Sequence, residues 1–535
     1  MTPARSRGAA WLLLFCVLGF AALMGAVAGL GRPMLLGPFI ALLGLVVLFV
    51  VPARLMFWSL LLLSMLVVGP VMYFAKIESA RWGPPLLAMA LYVPLVAYVL
   101  KPRRSQPDAG WPLWLFVLFM FIATAVFSTV MGSPMLGEVV VASRAYLAFW
   151  SFALALALGM FAVRDMLLGW WALLACAAIQ LPVSMYQYFV VAKQSMRLSP
   201  WDAVVGTFPG NMDGGGASHA MGIFLLIALC AVVALWRARR IHRGLAVVIG
   251  ACILGSLVLS EVKAVVLLVP VAFALQFWRE LVRRPLLAVG AVVVSVGLMA
   301  SIMTLYQTTF YAGRGVTLQG KLPSSPLESI QNQLNPQQAH TKDGGQIVSR
   351  AARVADWWRR GVTYGDPYHA LLGYGVGATQ NSSFGMGELV PKFAYLLDTT
   401  GTNILLWETG VIGHLLLVLL LLLAAANANA CSRSPLVPVE HRALLEAGGV
   451  GLVLFAITLP YSNFALRTPP SQFLMVFMLG YATYWWRQVR LAQPAHAMGR
   501  FNAAADATRA PPPARGGSGT RPAAGTVLPA GYRHG

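Results

Sequence analysis

The chain has 535 residues, 58% of them hydrophobic and only 11% charged, and its 39 Lys and Arg against 18 Asp and Glu give a net charge of +21. A soluble domain carries about 25% charged residues, and those residues supply much of its exterior, so a soluble globular fold is excluded. The basic excess lies in short clusters between apolar runs, which marks topogenic charge at a lipid bilayer and points away from nucleic acid as a partner.

A spanning helix needs about 20 apolar residues. Fourteen candidate spans are centred near Phe20, Leu43, Ser64, Leu91, Met120, Leu154, Leu174, Leu229, Leu254, Val271, Val294, Leu417, Leu454 and Met478. The expected fold is an all-α polytopic membrane protein of about 12–14 transmembrane helices. The first span follows Arg5 and Arg7 and runs apolar from Ala9 to Leu30, too long for the core of a signal peptide, so it reads as an uncleaved anchor. With the N-terminus inside, inner loops hold 16 basic residues, Arg54, Arg164, Arg237, Arg279 and Arg433 among them, and the opposite short loops hold 8. This bias places both termini in the cytoplasm and the long segment from Gln307 to Asp398 outside.

The organisation expected is therefore helices over 1–306, the long outer loop over 307–398, further helices over 399–490, and a tail over 491–535. That tail is rich in Ala, Pro, Gly and Arg and has little to bury, the composition of a disordered cytoplasmic extension. The five cysteines lie in or beside apolar runs without CxxC spacing, so neither a disulfide framework nor a metal site is indicated.

Three outer segments carry polar chemistry. In the first, Gly206-Thr207-Phe208-Pro209-Gly210-Asn211 and Gly214-Gly215-Gly216 form either a flexible connector or a turn that brings backbone amides to a ligand. In the second, Ser260-Glu261-Val262-Lys263 interrupts two apolar runs, as a plain turn or as an ionisable pair facing a cavity. The third is the long loop, whose first half (Gln319 to Gln346) is polar and turn-rich. From Ser349 to Arg360 the pattern is that of an amphipathic helix with Trp357 and Trp358, suited to lie on the outer membrane surface.

Arg350, Arg353, Arg359 and Arg360 carry only Asp356 as internal counter-charge. Guanidinium forks match phosphate and carboxylate, so the helix reads as an anion site for a lipid pyrophosphate or for anionic headgroups. Gly373-Tyr374-Gly375-Val376-Gly377 follows as a glycine-dense turn, and Gly401 to Gly413 opens an apolar run in which Thr402 or Asn403 could cap the helix. Glu408, one to two turns in, is a candidate base or hydrogen-bond orienter, or else the partner of a neighbouring arginine.

These segments, in this order over about Val205 to Leu420, resemble the O-antigen ligase/polymerase superfamily of bacterial surface-polysaccharide assembly. The Gly-Thr-Phe loop opening a helix is similar to Val205–Leu225, a Ser-x-Ser-Arg-like motif to Ser260–Lys263, and an arginine followed by a tryptophan helix to Arg350–Trp358. A Gly-x-Gly-x-Gly turn is similar to Gly373–Gly377, and a His-Asn…Glu-x-Gly-x-x-Gly helix start to Thr402–Gly413.

The resemblance implies a membrane-embedded glycosyltransferase of the C type (GT-C-like) in the bacterial inner membrane, with its loop in the periplasm. It would polymerise polyprenyl-diphosphate-linked glycan repeats into a surface polysaccharide or exopolysaccharide without cofactor or metal, beside flippase and chain-length regulator proteins. Arg350, Arg353 and Glu408 are then candidate catalytic residues, and Lys263, Arg359, Arg360, Asn403, Gly373 and Gly375 candidate substrate-binding residues. In two places the chain departs from the family: Lys263 stands for an arginine, and Thr402 stands where ligases carry a histidine base. The second departure favours a polymerase over a ligase, with Glu408 and His369 as off-position substitutes for the base. A lipid-linked oligosaccharide flippase is the alternative from another class, although no internal repeat is evident.

Overall fold

A computed structural model describes residues 51–101, 110–132, 134–192, 203–212, 216–310, 345–363, 365–382, 385–393 and 395–509, with short stretches between 316 and 342. The expected spans near Phe20 and Leu43, the Lys193–Pro200 stretch, much of the polar first half of the long loop and residues 510–535 lie outside the described residues.

Each of the other expected spans falls on a helix. These are α1 (Ala53–Phe74), α2 (Glu78–Leu100), α3 (Leu113–Gly132), α4 (Gly137–Ala157), α5 (Val163–Val191) and α6 (Ser218–Arg237). Then come α7 (Arg243–Leu259), α8 (Lys263–Arg283) and α9 (Pro285–Phe310). Beyond the loop lie α13 (Gly410–Cys431), α14 (Val439–Thr458) and α16 (Pro469–Arg509). Among the described residues, 9 helices are long and apolar enough to cross a membrane. The protein is an all-α, multi-pass membrane protein. The final helix runs on to Arg509, past Gln493, where composition points to an unstructured extension; the alanines at 503–505 are strong helix formers and propagate a helix already nucleated in the bundle.

The core gathers around α6, 89% of whose apolar window is buried. Phe224, Leu225 and Leu235 of α6 belong to the same cluster as Trp170 of α5, Phe152 of α4 and Phe455 of α14, with Phe473 and Phe477 of α16. Helices in lipid associate by close packing rather than by hydrophobic expulsion. A Cβ on Gly480 of α16 would stand 2.7 Å from the Ala153 carbonyl of α4, so these two helices approach backbone to backbone.

Between α9 and α13 the long loop carries three antiparallel two-stranded hairpins, β1–β2 (Val316–Thr317, Gly320–Lys321), β3–β4 (Ala339–Lys342, Gly345–Val348) and β5–β6 (Asn381–Ser382, Gly385–Met386). Its helices are α10 (Arg350–Trp357) and α11 (Pro367–Leu372), and α12 (Gly401–Glu408) follows it. The short α15 (Phe464–Arg467) joins α14 to α16. The tryptophan helix does not simply lie on a membrane surface. Trp357 is buried with Ala378, Leu389, Leu397, Leu406 and Trp407 in a small core of its own, and only Trp358 faces outward. The loop's second half is thus a packed cap against α12.

The Gly-Thr-Phe segment is neither a flexible connector nor a free amide cradle. Gln187 of α5 accepts from Val205 N (2.9 Å) and Gly206 N (2.7 Å) and donates to Gly206 O (2.9 Å). Gln180, two turns earlier, accepts from Thr207 N (2.8 Å) and donates to Thr207 Oγ1 (2.7 Å), which itself donates to Met65 O of α1 (2.7 Å). Buried irregular backbone in a membrane protein must find partners inside the protein, and two glutamines supply them here.

Gly206 has φ +62°, and a Cβ there would meet Gln180 Oε1 at 2.0 Å. Gly206→Ala is expected to destabilise the fold by about 1–3 kcal/mol from strain and the displaced amide. Gln187→Leu orphans two buried N–H groups and a carbonyl, and its loss should be at least as large. Thermal unfolding in detergent reads both; melting temperatures equal to wild type would contradict the clamp.

Candidate functional site

Ser349 caps α10, its Oγ accepting from Ala352 N at 3.1 Å. The cap fixes the helix start, and residues three and four apart then share a face. Arg350, Arg353 and Trp357 occupy that face, which Trp357 Nε1 anchors by donating to Leu406 O of α12 at 3.2 Å.

Arg350 reaches the turn after α14, where its guanidinium carbon lies 3.5 Å from the centre of the Tyr461 ring. Tyr461 OH is 2.9 Å from His219 Nε2, in the first turn of α6. Gly222, one turn further along α6, packs against Val262 and Val265 at the head of α8, where a Cβ would meet Val265 at 2.7 Å. Lys263 opens α8 and lies 3.2 Å from Glu261, whose φ of +50° folds the chain back at the head of the helix. Four elements distant in sequence therefore meet at one end of the bundle: the heads of α6 and α8, the α14–α15 turn and α10.

Arg353 is 8% exposed, with its guanidinium carbon 5.6 Å from the Tyr395 ring centre. Burial pushes its pKa down; Tyr395 opposes this, Arg350 adds to it, and Asp398 opposes it again. The group stays cationic at neutral pH, as arginine does. Tyr395 donates to Asp356 Oδ2 at 2.6 Å, and burial first and this bond second push its phenol pKa up, so it remains a neutral donor. Among the described residues, Arg353 Nε and Nη1 and Arg350 Nη1 are buried without a hydrogen-bond partner. Unmet buried donors on charged groups are costly. An anion with several oxygens would satisfy all three.

Glu408, at the end of α12, is 1% exposed. Its Oε1 accepts from Thr379 Oγ1 (2.5 Å) and its Oε2 from Tyr146 OH of α4 (2.9 Å). It lines a narrow cleft with Arg144, Gln380 and Arg467. Arg467 pairs with Asp398 at 2.6 Å, tying the end of the loop to α15. Glu408 thus sits beside cationic groups, its two oxygens already engaged by hydroxyls. That arrangement suits an orienter better than a proton acceptor.

The remaining candidates separate from this centre. Arg359 and Arg360 are exposed, with Arg360 paired to Asp356 at 3.0 Å. The helix cap before Glu408 is Thr400, neither Thr402 nor Asn403, and Asn403 donates from Nδ2 to Leu397 O at 2.6 Å to hold the loop end. Gly373, Gly375 and Gly377 have φ of +80°, +99° and +99°. Gly375 N is shared between Glu408 O (3.0 Å) and Ser128 Oγ (2.9 Å), and a Cβ on Gly373 would stand 2.4 Å from the Glu408 carbonyl carbon. These glycines close the cap onto α3 and α12 and leave the Gly375 amide no freedom for a ligand. His369 pairs with Asp366 at 3.2 Å and stacks on Tyr374 at 4.1 Å, within the cap.

No known protein-family model matches the chain, and no curated protein matches it either.

Sequence reasoning brought out Arg350, Arg353, Lys263 and Glu408 and missed His219, Tyr461, Tyr146, Tyr395 and Arg467. The available signal for His219 was its place at the head of an apolar run straight after the glycine-rich segment; Tyr461 carried none beyond lying in a short turn. Asp398→Asn removes the carboxylate from Arg467 in a largely buried setting. The expected loss is about 1–3 kcal/mol, with double-mutant coupling to Arg467→Gln of about 1 kcal/mol. Additive losses in thermal unfolding would mean the pair is not coupled.

Proposed function

We propose that this protein is a membrane glycosyltransferase that polymerises polyprenyl-diphosphate-linked oligosaccharide repeats. The observation that carries the reading is that, among the described residues, buried guanidinium donors of Arg350 and Arg353 lack a hydrogen-bond partner at the end of the apolar bundle that also carries Lys263. A diphosphate on a lipid needs both: multiple strong donors for its oxygens and a lipid-facing surface for its tail. The charge bias of the loops supports a periplasmic site in an inner membrane with both termini in the cytoplasm, and lipid-linked repeats of this kind would come from a flippase and answer to a chain-length regulator.

In the reaction an acceptor-sugar hydroxyl oxygen forms a bond to the anomeric carbon of the donor glycan. The bond from that carbon to the diphosphate oxygen breaks, and its electron pair leaves on the diphosphate. Arg350, Arg353 and Lys263 neutralise that developing charge. The hydroxyl proton passes to an oxygen of the departing diphosphate, and His219, whose Nε2 is 2.9 Å from Tyr461 OH, holds the ring on which Arg350 rests. Glu408 keeps the cap and α4 in register. Thr402 supplies no base, which favours transfer between glycan repeats over ligation to a lipid core.

The test is extension of a purified polyprenyl-linked repeat by the protein in detergent, read as a product ladder. Arg350→Ala, Arg353→Ala and Lys263→Ala should each leave protein level unchanged and cut extension roughly 10²–10³-fold, the scale of losing one charge-stabilising donor. Wild-type ladders in all three variants would overturn the assignment. Movement of the lipid-linked glycan across vesicles without lengthening would establish a transporter instead.

A further inference from the structure

At the end of the bundle away from the long loop, a cleft of about 310 Å³ opens between α6, α8, α13 and α14. Its walls include Leu275, Leu422, Val450 and Val453, and Leu422 is exposed on the outside of the bundle, so the cleft is open sideways toward lipid. The rim is basic. Arg237 is committed to Glu446 (2.5 Å) and Glu280 (3.5 Å). Arg279 and Arg433 are not: among the described residues neither has a carboxylate within ion-pair distance.

These two arginines flank one indole, their guanidinium carbons 5.5 and 6.0 Å from the centre of the Trp278 ring. Arg433 is further oriented by Asn429, to whose Oδ1 it donates at 2.7 Å. Both guanidinium groups line the cleft, and burial first and the charge of Arg279 second push the Arg433 pKa down. Like charges held together in this way favour an anion between them. Trp278 is 45% exposed, as a tryptophan at the level of lipid headgroups would be.

We propose that this cleft binds an anionic glycerophospholipid, its phosphate between Arg279 and Arg433 and one acyl chain along Leu422 and Val453. Guanidinium forks suit a phosphate diester, and basic pockets between transmembrane helices take anionic headgroups. A lipid with a cationic headgroup would set a further positive charge beside two arginines that, among the described residues, have no carboxylate within ion-pair distance. The apolar wall below the rim distinguishes a lipid from free phosphate. This inference does not depend on the glycosyltransferase reading.

Native mass spectrometry of the purified protein, with phosphatidylglycerol and phosphatidylcholine supplied at equal concentration, provides the test. Phosphatidylglycerol should be retained roughly tenfold or more over phosphatidylcholine, and the Arg279→Ala/Arg433→Ala double variant should abolish that preference. Leu422→Trp, which fills the apolar wall and keeps both arginines, should also lose the lipid. Melting temperatures confirm that each variant is folded, and should the double variant not fold, the Leu422→Trp result decides. Equal retention of the two lipids by wild type overturns the proposal. So does undiminished phosphatidylglycerol retention by a folded variant, or its full displacement by millimolar inorganic phosphate, which would mark a simple anion site.

Discussion

In a hydrocarbon surround, a backbone N–H or C=O outside a helix must be met by another protein group, because no water is there to meet it. The same holds for buried chain away from water in a packed cap, and among the described residues two such irregular stretches shape the head of the bundle by how they are met. Gln180 and Gln187 clamp Val205, Gly206 and Thr207. Ser128, Thr129 and the Glu408 carbonyl receive the amides of the Gly373–Gly377 turn. With both stretches pinned, the heads of α3, α6 and α12 hold fixed positions, and the cap carrying α10 has a rigid floor.

On that floor, charge is distributed unevenly. Pairs such as Arg467 with Asp398 and Arg360 with Asp356 close on themselves and serve as fasteners. Among the described residues, Arg350 and Arg353 instead keep buried donors unmet, supported by aromatic faces at Tyr461 and Tyr395. An aromatic face stabilises a guanidinium without occupying its in-plane donors, so the cations are held in place and remain open to an anion. The opposite end of the bundle repeats the device with Arg279 and Arg433 against Trp278.

The helical skeleton was legible from one-dimensional hydropathy: every expected span from Ser64 onward coincides with a helix, and α10 starts at the expected serine. The roles of individual polar residues were much less so. Asn403, Gly373 and Gly375 look like ligand contacts in a linear motif, yet their donors go to Leu397 O, His369 O and Glu408 O respectively. Glu408 looks like a base at an outer interface, yet it is enclosed by Tyr146, 262 positions away in the chain, and by Thr379. Such contacts have no local signature, because they depend on which helices are neighbours.

By itself, the sequence determined that this chain is an α-helical membrane protein with one large loop, since runs of apolar residues long enough to cross a bilayer admit no other backbone structure that satisfies its own hydrogen bonds in a chain so patterned. It also determined where the cations are concentrated. Only the tertiary structure decided which cations keep free donors, that His219 meets Tyr461 across 242 positions, and that the glycine turns are closures. The physical reason is that helix packing is set by the summed shape of many side chains, so the identity of a polar residue's neighbour is a property of the assembled bundle and not of any local run of sequence.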